Sequence, residues 1–382
     1  GVASYLAREE LIRTNAGTVD LQLSPFDRDG VTPRPVDARE LPALTWSLHA
    51  AHPHDSDEPG APVPSRVVTL LSSRREGVAR VDRIRAPGGL VFLRVDGRGR
   101  AGEQCAPSWI RIESFPGYAS SEQVPVLAIP VPTCRATRAG TVTIGAGLMI
   151  YGGPGEPASP RYAEDPDHRQ PEQHLWLGRF AIDRTEVSNG EFAVFARLAN
   201  VTGYPAPIYP NKGKHARQGD PQYPVTEINA YQAEAYCRYL GKHLPSDHQW
   251  VKAARGGLTI DGVANPAPRR LYPSGLSSPA CVNQQGDADG HAWVAPVDAL
   301  ACGASPYGVL NLAGNVQEWI SRRGQVDRDE PLHAMRGGAA HSPPELHHVT
   351  TIFRNHRDPR NFDYSIGFRC VEDGGGSDAR AR

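Results

Sequence analysis

The sequence lacks several features that mark common classes of protein. No run of about 18 apolar residues occurs, so no membrane-spanning helix is expected. The formal net charge is only -1, so no overall field favours nucleic acid or an anionic membrane. The six cysteines form no CxxC pair, which argues against a zinc knuckle. The chain also has no signal-peptide pattern and starts without Met, so we expect a processed chain or an excised piece.

Glycine and proline are abundant instead. The chain holds 39 Gly and 35 Pro and no long periodic helical segment, which favours short strands joined by ordered loops. Residues 1–15 are predicted to form one short helix, and residues 30–66 to form a loop. The runs "RVVTLLSS", "VARVDRIRA", "LVFLRVDG" and "SWIRIESF" then predict strands. They indicate a small antiparallel sandwich or barrel that ends near residue 137.

Three short helices are predicted further along the chain from their capping residues. Ser188 and Glu191 form a capping-box pattern. Asn229 precedes "AYQAEAYCRYL", and Gly241 suits the position after a helix end. A third helix is predicted to begin after Ser246.

Five segments stand in a characteristic order after residue 140. They are "FAIDRTEVSNGEFAVF", "YPVTEINAYQAEAYCRYLGKHLPSDHQWVKAARGG", "APVDALACGASPYGVLNLAGNVQEW", "RGGAAHS" and "RNHRDPRNFDYSIGFRC". Together they resemble the formylglycine-generating enzyme (sulfatase-modifying factor) family over roughly residues 140–372. The resemblance implies an α+β, C-type-lectin-like domain with little regular secondary structure. We therefore expect a small β-rich domain over 1–137, the family domain over 138–372 and a disordered tail over 373–382.

The resemblance also indicates where catalysis would lie. The oxidases of the family bind copper through two cysteines shortly after the "RGG" segment. Here the first position holds Ser342, and the second falls at Leu346 or His347. Because a serine hydroxyl cannot replace a soft thiolate, no copper and no catalytic residue is expected. The alternative is a metal-dependent, sulfatase-activating oxidase of the same family with unfamiliar ligands, of which loop histidines are one candidate set.

Two structural calcium sites are implied by the resemblance. Calcium binds carboxylate, amide and backbone carbonyl oxygens in sharply turning loops, and two loops here supply such oxygens. The expected ligands are Asn283, the Gln284 carbonyl, Asp289 and the His291 carbonyl in one loop, and Asn311, the Gly314 and Val316 carbonyls and Glu318 in the other. The alternative is that these loops close with hydrogen bonds or water.

A disulfide between Cys237 and Cys370 is implied by the same resemblance. The alternative is two buried free thiols, as in a reducing cytosol, so the redox state decides between a cytoplasmic and an extracytoplasmic bacterial location. Three arginines and one tryptophan match positions that the family uses for packing and buried ion pairs: Arg336, Arg354, Arg369 and Trp319.

These observations favour a non-catalytic, monomeric module that binds a protein, peptide or small ligand and no nucleic acid. Its binding face is expected to comprise residues 339–366 with the loops 205–222 and 320–335. The candidate contact residues are His341, Ser342, His347, His348, Phe353, His356, Phe362 and Tyr364. The high Arg and Pro content and the β-rich first domain also resemble modules joined to bacterial serine/threonine kinases, which suggests a sensory or regulatory role.

A further alternative is a hypervariable binding protein of a diversity-generating retroelement. Such elements mutate adenines in codons shortly before a "GFR" ending, and cannot produce Glu, Lys, Gln, Met or Trp. Between residues 339 and 366 only Glu345 belongs to these types. These types are uncommon in the whole chain, so their scarcity discriminates little.

Overall fold

The computed structural model describes residues 16–65, 67–115, 124–156, 158–160, 170–209, 219–275, 279–321 and 332–374. The described residues are mostly β, with a few short helices. The Cα positions divide the chain into two compact units. The first comprises Gly1–Ala139, Val194–Ala206 and Arg238–Gly241, and the second comprises Gly140–Ala193, Pro207–Cys237 and Lys242–Arg382. The predicted boundary between two domains at residue 137 stays a prediction.

The first part of the chain forms two sheets. One has the order β2-β1-β6-β5, with β9 also paired to β1, and the other has the order β4-β3-β7-β8. The strands are β1 (Ala16–Asp29), β2 (Thr32–Pro35), β3 (Thr45–His52), β4 (Asp55–Pro62), β5 (Thr69–Glu76), β6 (Ala79–Pro87), β7 (Gly89–Asp96), β8 (Ser108–Phe115) and β9 (Val126–Pro132). Helix α1 (Cys134–Arg138) follows β9.

Strands β5 to β8 confirm the four β-type runs, whereas the loop predicted over residues 30–66 is wrong. That segment contains β2, β3 and β4. Within the described residues strand β4 pairs only with β3, and its register shifts around Ala51. An edge strand tolerates proline because one side of it makes no ladder hydrogen bonds. The proline-rich and polar composition therefore masks a strand that tertiary pairing stabilises.

The chain beyond residue 140 forms small sheets and four helices. The sheets have the orders β10-β13-β20, β11-β12, β14-β15 and β18-β17-β16-β19. The strands are β10 (Thr141–Ile144), β11 (Gly147–Tyr151), β12 (Gln173–Leu177), β13 (Phe180–Asp183), β14 (Thr259–Ile260), β15 (Val263–Ala264), β16 (Gln317–Trp319), β17 (His333–Arg336), β18 (Asn355–Arg357), β19 (Ile366–Gly367) and β20 (Val371–Asp373). The helices are α2 (Asn189–Ala196), α3 (Ala199–Thr202), α4 (Ala230–Tyr239) and α5 (Asp247–Arg255).

The capping predictions are confirmed. At α4, the Gln232 backbone N–H donates to Asn229 Oδ1 at 2.9 Å, and the Asn229 N–H donates to Gln232 Oε1 at 2.8 Å. The same reciprocal pair joins Ser246 and Gln249 at α5. Gly241 has φ +77°, the left-handed conformation that suits the residue after a helix. Local side-chain chemistry thus sets where these helices begin and end.

Buried ion pairs hold the core of the second unit, as expected for its arginines. Arg369 Nη2 lies 2.6 Å from Glu318 Oε1, and Arg336 pairs with Asp247 at 2.6 Å. Arg354 Nε lies 3.2 Å from the other oxygen of Asp247. All five side chains are buried, so each charge depends on its partner.

All six cysteines form disulfides, and the described residues include no free cysteine. The implied Cys237–Cys370 bridge is present, and both of its residues are fully buried. It connects α4 to the residue before β20. The other two pairs were not predicted: Cys105–Cys134 and Cys281–Cys302.

Some predictions fall outside the described residues. They are the helix over 1–15, the tail from residue 375 onward, and residues 210–218 and 322–331 of the two loops expected in the binding face. Across the parts of the chain that the structure describes, no helix is long and apolar enough to cross a membrane.

Candidate ligand and cation sites

A loop closed by the Cys281–Cys302 disulfide carries one of the two predicted calcium sites. We call residues 281–302 the disulfide loop. Its start is fixed to the "NLAGNVQEW" segment, because the Asn315 N–H donates to the Asn283 carbonyl at 3.0 Å. A Cβ on Gly314 would lie 1.8 Å from that same carbonyl oxygen, and Gly314 has φ +88°. Only glycine allows this close approach.

Two oxygens of the disulfide loop are buried without a hydrogen-bond partner. Asn283 Nδ2 donates to the Trp293 carbonyl at 3.0 Å, but Asn283 Oδ1 has no partner. Asp289 Oδ1 accepts from the His291 N–H at 3.0 Å, while Asp289 Oδ2 has none. Burial also raises the pKa of the Asp289 carboxyl. An unsatisfied buried acceptor costs about 1–3 kcal/mol, and amide and carboxylate oxygens are ligands that a hard cation prefers. The side chains here fit calcium.

The second predicted calcium site fits a cation less well. Glu318 accepts from Arg369 at 2.6 and 2.8 Å and from the Trp250 Nε1–H at 2.9 Å. Its carboxylate is therefore neutralised by a guanidinium in the core. The Asn311 amide nitrogen donates to Glu186 Oε2 at 3.0 Å. Glu318 is an ion-pair partner of Arg369, whose charge would repel a cation, and its role as a calcium ligand stays a prediction.

Glu186 is a buried acid that the sequence analysis missed. Its two oxygens accept from the side-chain amides of Asn311 and Asn315, at 3.0 and 2.9 Å. Burial raises its pKa to about 7, against the attraction of Arg369. In the sequence Glu186 stands just before a helix cap, where acidic residues are common, so no pattern distinguishes it. It organises the turn through Asn311 and Asn315.

Three rings meet beside the disulfide loop, and we call them the aromatic triad. Trp293 lies 5.5 Å from Tyr364 and 6.2 Å from His341, centroid to centroid, with interplanar angles near 29° and 28°. His341 and Tyr364 are 5.7 Å apart. All three residues are partly exposed. The sequence predicted His341 and Tyr364 but missed Trp293, which lies in the segment assigned to calcium.

Not all predicted contact residues reach the surface. Ser342 is 2% exposed, and its hydroxyl accepts from the Ala339 N–H at 2.9 Å. Phe353 is 4% exposed and stacks on His348 at 4.1 Å. Ser342 and Phe353 are therefore interior residues, which corrects their placement on the binding face. Phe362, in contrast, is 65% exposed.

The remaining histidines do not assemble a metal centre. His347 has a left-handed backbone with φ +54°, and its Nδ1 is buried without a hydrogen-bond partner. His356 lies in β18. Among the described residues, no group of three or more His, Cys, Asp or Glu side chains is placed to hold a metal.

The disulfide loop and the aromatic triad form one assembly. Asn283 holds the Trp293 carbonyl, and the Gln285 N–H donates to the Ser342 carbonyl at 3.1 Å. Ser342 directly follows His341. Order in the disulfide loop therefore determines the position of two rings of the triad.

Comparison with known proteins identifies the family. The model of the sulfatase-modifying factor enzyme 1-like domain matches residues 127–374. The chain belongs to this family.

Several relatives within the family are similar over part of the chain. The formylglycine-generating enzyme of Thermomonospora curvata is 30% identical over 239 residues, covering 50% of this chain and 74% of that protein. The inactive C-alpha-formylglycine-generating enzyme 2 of Bos taurus is 32% identical over 161 residues, covering 40% and 52%. The chain spans about half the length of that bovine protein and of YfmG of Bacillus subtilis, of which it covers 48%.

Solved structures of similar chains include PvdO from Pseudomonas aeruginosa. Its TM-score is 0.46 at 22% identity, covering 61% of this chain and 94% of that one. CarF has a TM-score of 0.47 at 18% identity, covering 61% and 98%.

Proposed function

We propose that this chain is a non-catalytic member of the family that binds a ligand on the aromatic triad. The observation that carries the proposal is that its cysteines are paired in disulfides. All six cysteines are in disulfides, so none is available as the thiolate pair that the family's oxidases use for copper. Ser342, at the first copper position, is buried and closes a turn with its hydroxyl.

The names of the relatives do not decide whether this chain is catalytic. The bovine relative is called inactive, while those from Thermomonospora curvata and Streptomyces coelicolor are called formylglycine-generating enzymes. Members of one fold family can differ in function, so the residues at the site carry the argument.

A calcium ion in the disulfide loop is part of the proposal. Asn283 and Asp289 would hold it with their two unpartnered oxygens, and the Gln284 and His291 carbonyls would complete the set. The ion supplies charge neutralisation and order rather than chemistry. It would hold Trp293 in place within the triad.

A second candidate function is metal-dependent oxidation. His347 falls at or beside the second copper position and has a buried, unpartnered Nδ1, which is a possible donor for a metal. This candidate requires a further ligand that the described residues do not place beside it.

The three disulfides support an oxidising, extracytoplasmic location for the folded chain. Association with a bacterial kinase and diversification by a retroelement also remain proposals. The gene neighbourhood tests both, through an adjacent kinase gene or an adenine-rich near-repeat of the gene's 3′ end.

The binding function is tested by ligand capture on peptide and glycan arrays with matched tryptophan variants. Trp293→Ala removes one ring of the triad, whereas Trp176→Ala removes a 55%-exposed ring on β12, opposite Leu148 of β11. We expect Trp293→Ala to abolish capture of array ligands and Trp176→Ala to preserve it. Equal capture by both variants contradicts the assignment of the triad.

A further inference from the structure

Glu227 lies next to the aromatic triad in an unusual backbone conformation. It has φ +56°, in the left-handed region that non-glycine residues rarely adopt. Its N–H donates to the Asp363 carbonyl at 3.1 Å, which fixes it beside the residue that precedes Tyr364. Strained backbone of this kind is often retained at functional sites.

The carboxylate of Glu227 has no hydrogen-bond or ion-pair partner among the described residues, although the residue is half-buried. Burial and the neighbouring Asp363 raise its pKa. Asp363 differs, because Oδ1 accepts from the Ser365 N–H and hydroxyl, and Oδ2 lies 3.7 Å from Arg357. Arg357 therefore compensates Asp363, and the charge of Glu227 remains available.

Glu227 and Tyr364 lie at neighbouring positions, because the Glu227 N–H donates to the carbonyl of the residue before Tyr364. Burial, Asp363 and Glu227 raise the pKa of the Tyr364 hydroxyl, while Arg357 opposes them. Burial and Glu227 likewise raise the pKa of Tyr209, in the loop that the sequence predicted as part of the binding face. Of the two tyrosines, Tyr364 is the one that the backbone contact at Asp363 places beside Glu227.

We infer that the aromatic triad together with Glu227 binds an organic cation, namely a guanidinium or alkylammonium group attached to an apolar body. Aromatic faces attract cations, and a partly desolvated carboxylate strengthens the attraction through charge-assisted hydrogen bonds. An anionic ligand would be repelled by Glu227. The inference rests on the proposed ligand-binding function and specifies its ligand class.

The test uses the full chain and pairs of probes that differ in charge alone. N-acetyl-arginine methylamide is compared with its neutral isostere N-acetyl-citrulline methylamide by calorimetry and tryptophan fluorescence. We expect the arginine probe to bind about tenfold or more tightly than the citrulline probe, as one favourable charged contact suggests. Tetramethylammonium and a short arginine peptide are added as further arms. Tighter binding of the peptide indicates a basic segment as ligand, and comparable binding indicates a small cation.

Two variants and one control complete the test. Glu227→Gln keeps the shape and should lower affinity for the arginine probe about tenfold while leaving the citrulline probe unchanged. Tyr364→Leu should lower it severalfold through loss of the ring. Glu345→Gln removes an exposed carboxylate elsewhere in the 339–366 segment and should change nothing.

Equal binding of arginine and citrulline, or a Glu227→Gln variant that matches wild type, overturns the inference. If Trp293→Ala still abolishes capture of array ligands in that case, the proposed binding function stands without it. If Trp293→Ala also leaves capture unchanged, both the cation inference and the proposed binding function are wrong.

Discussion

Asn283 Nδ2 donates to the Trp293 carbonyl at 3.0 Å, while Asn283 Oδ1 is buried with no hydrogen-bond partner. One end of this amide thus fixes the backbone of a ring in the aromatic triad, and the other end faces inward as a free acceptor. A cation at that acceptor would order Trp293. The proposed cation site and the proposed ligand face would therefore be coupled through Asn283.

Calcium should stabilise the second unit. At about 100 times its Kd, a ligand that binds only the folded state contributes about 2.7 kcal/mol, and each kcal/mol raises Tm by about 2–4 °C at this size. We expect a Tm rise of about 5–10 °C on adding calcium, reversed by a chelator, in scanning calorimetry. Asp289→Asn should remove most of the rise. Asp298→Asn, an exposed acid of the same loop, is the control and should retain it.

Breaking the Asp247–Arg336 pair should be strongly destabilising. Both side chains are fully buried, so Asp247→Asn leaves Arg336 and Arg354 without their carboxylate. We expect the free energy of unfolding to fall by about 3–5 kcal/mol in chemical denaturation. Arg360→Met removes an exposed partner of Asp358 and should cost about 0.5 kcal/mol or less. Similar losses in the two variants would contradict the role of the buried pair.

The Asp247–Arg336 pair also leads to a prediction of how stability changes at acid pH. Burial opposes ionisation of Asp247, but Arg336, Arg354 and the hydrogen bond from Tyr151 prevail and hold its pKa below the ordinary value of 3.8. The contribution of ionised Asp247 to the free energy of unfolding is fully present above that value and is lost as the pH falls through the lowered pKa. Wild type should therefore lose stability below about pH 4 more steeply than Asp247→Asn. Unfolding free energies measured across that range provide the check, and parallel curves would contradict it.

The disulfides make a chemical prediction. Unfolded, unreduced protein should react with no iodoacetamide, and reduced protein should take up six equivalents by intact mass, because all six cysteines are paired. Cys237→Ser with Cys370→Ser should lower the free energy of unfolding by several kcal/mol, about 4–5 in the chain-entropy model for so long a loop. Free thiols in purified native protein would contradict the pairing.

The sequence predicted what depends on local chemistry or on family resemblance. The capping pairs at Asn229 and Ser246 act over three residues, so they can be recognised from the sequence alone. The Cys237–Cys370 bridge followed from resemblance. Strand β4 was missed because its pairing with β3, rather than its own composition, makes it a strand.

The candidate site was predicted only in part. His341 and Tyr364 were predicted, but Trp293 and Glu227 were not, since they come from segments far apart in the sequence. The pairing of Glu318 with Arg369 could not be read from their spacing in the sequence, because it depends on which buried charges the fold brings together in the core. Pairings between residues far apart in the sequence, such as Glu318 with Arg369, therefore needed the structure.

The central claim is that this family member does not oxidise a sulfatase-type cysteine. The most direct measurement incubates the full chain, loaded with copper(I) under oxygen, with a cysteine-containing sulfatase peptide and follows the peptide by mass spectrometry. The formylglycine-generating enzyme of Thermomonospora curvata is the positive control. We predict that the peptide cysteine stays unconverted while the control turns over. Multiple-turnover formation of formylglycine by this chain would contradict the account.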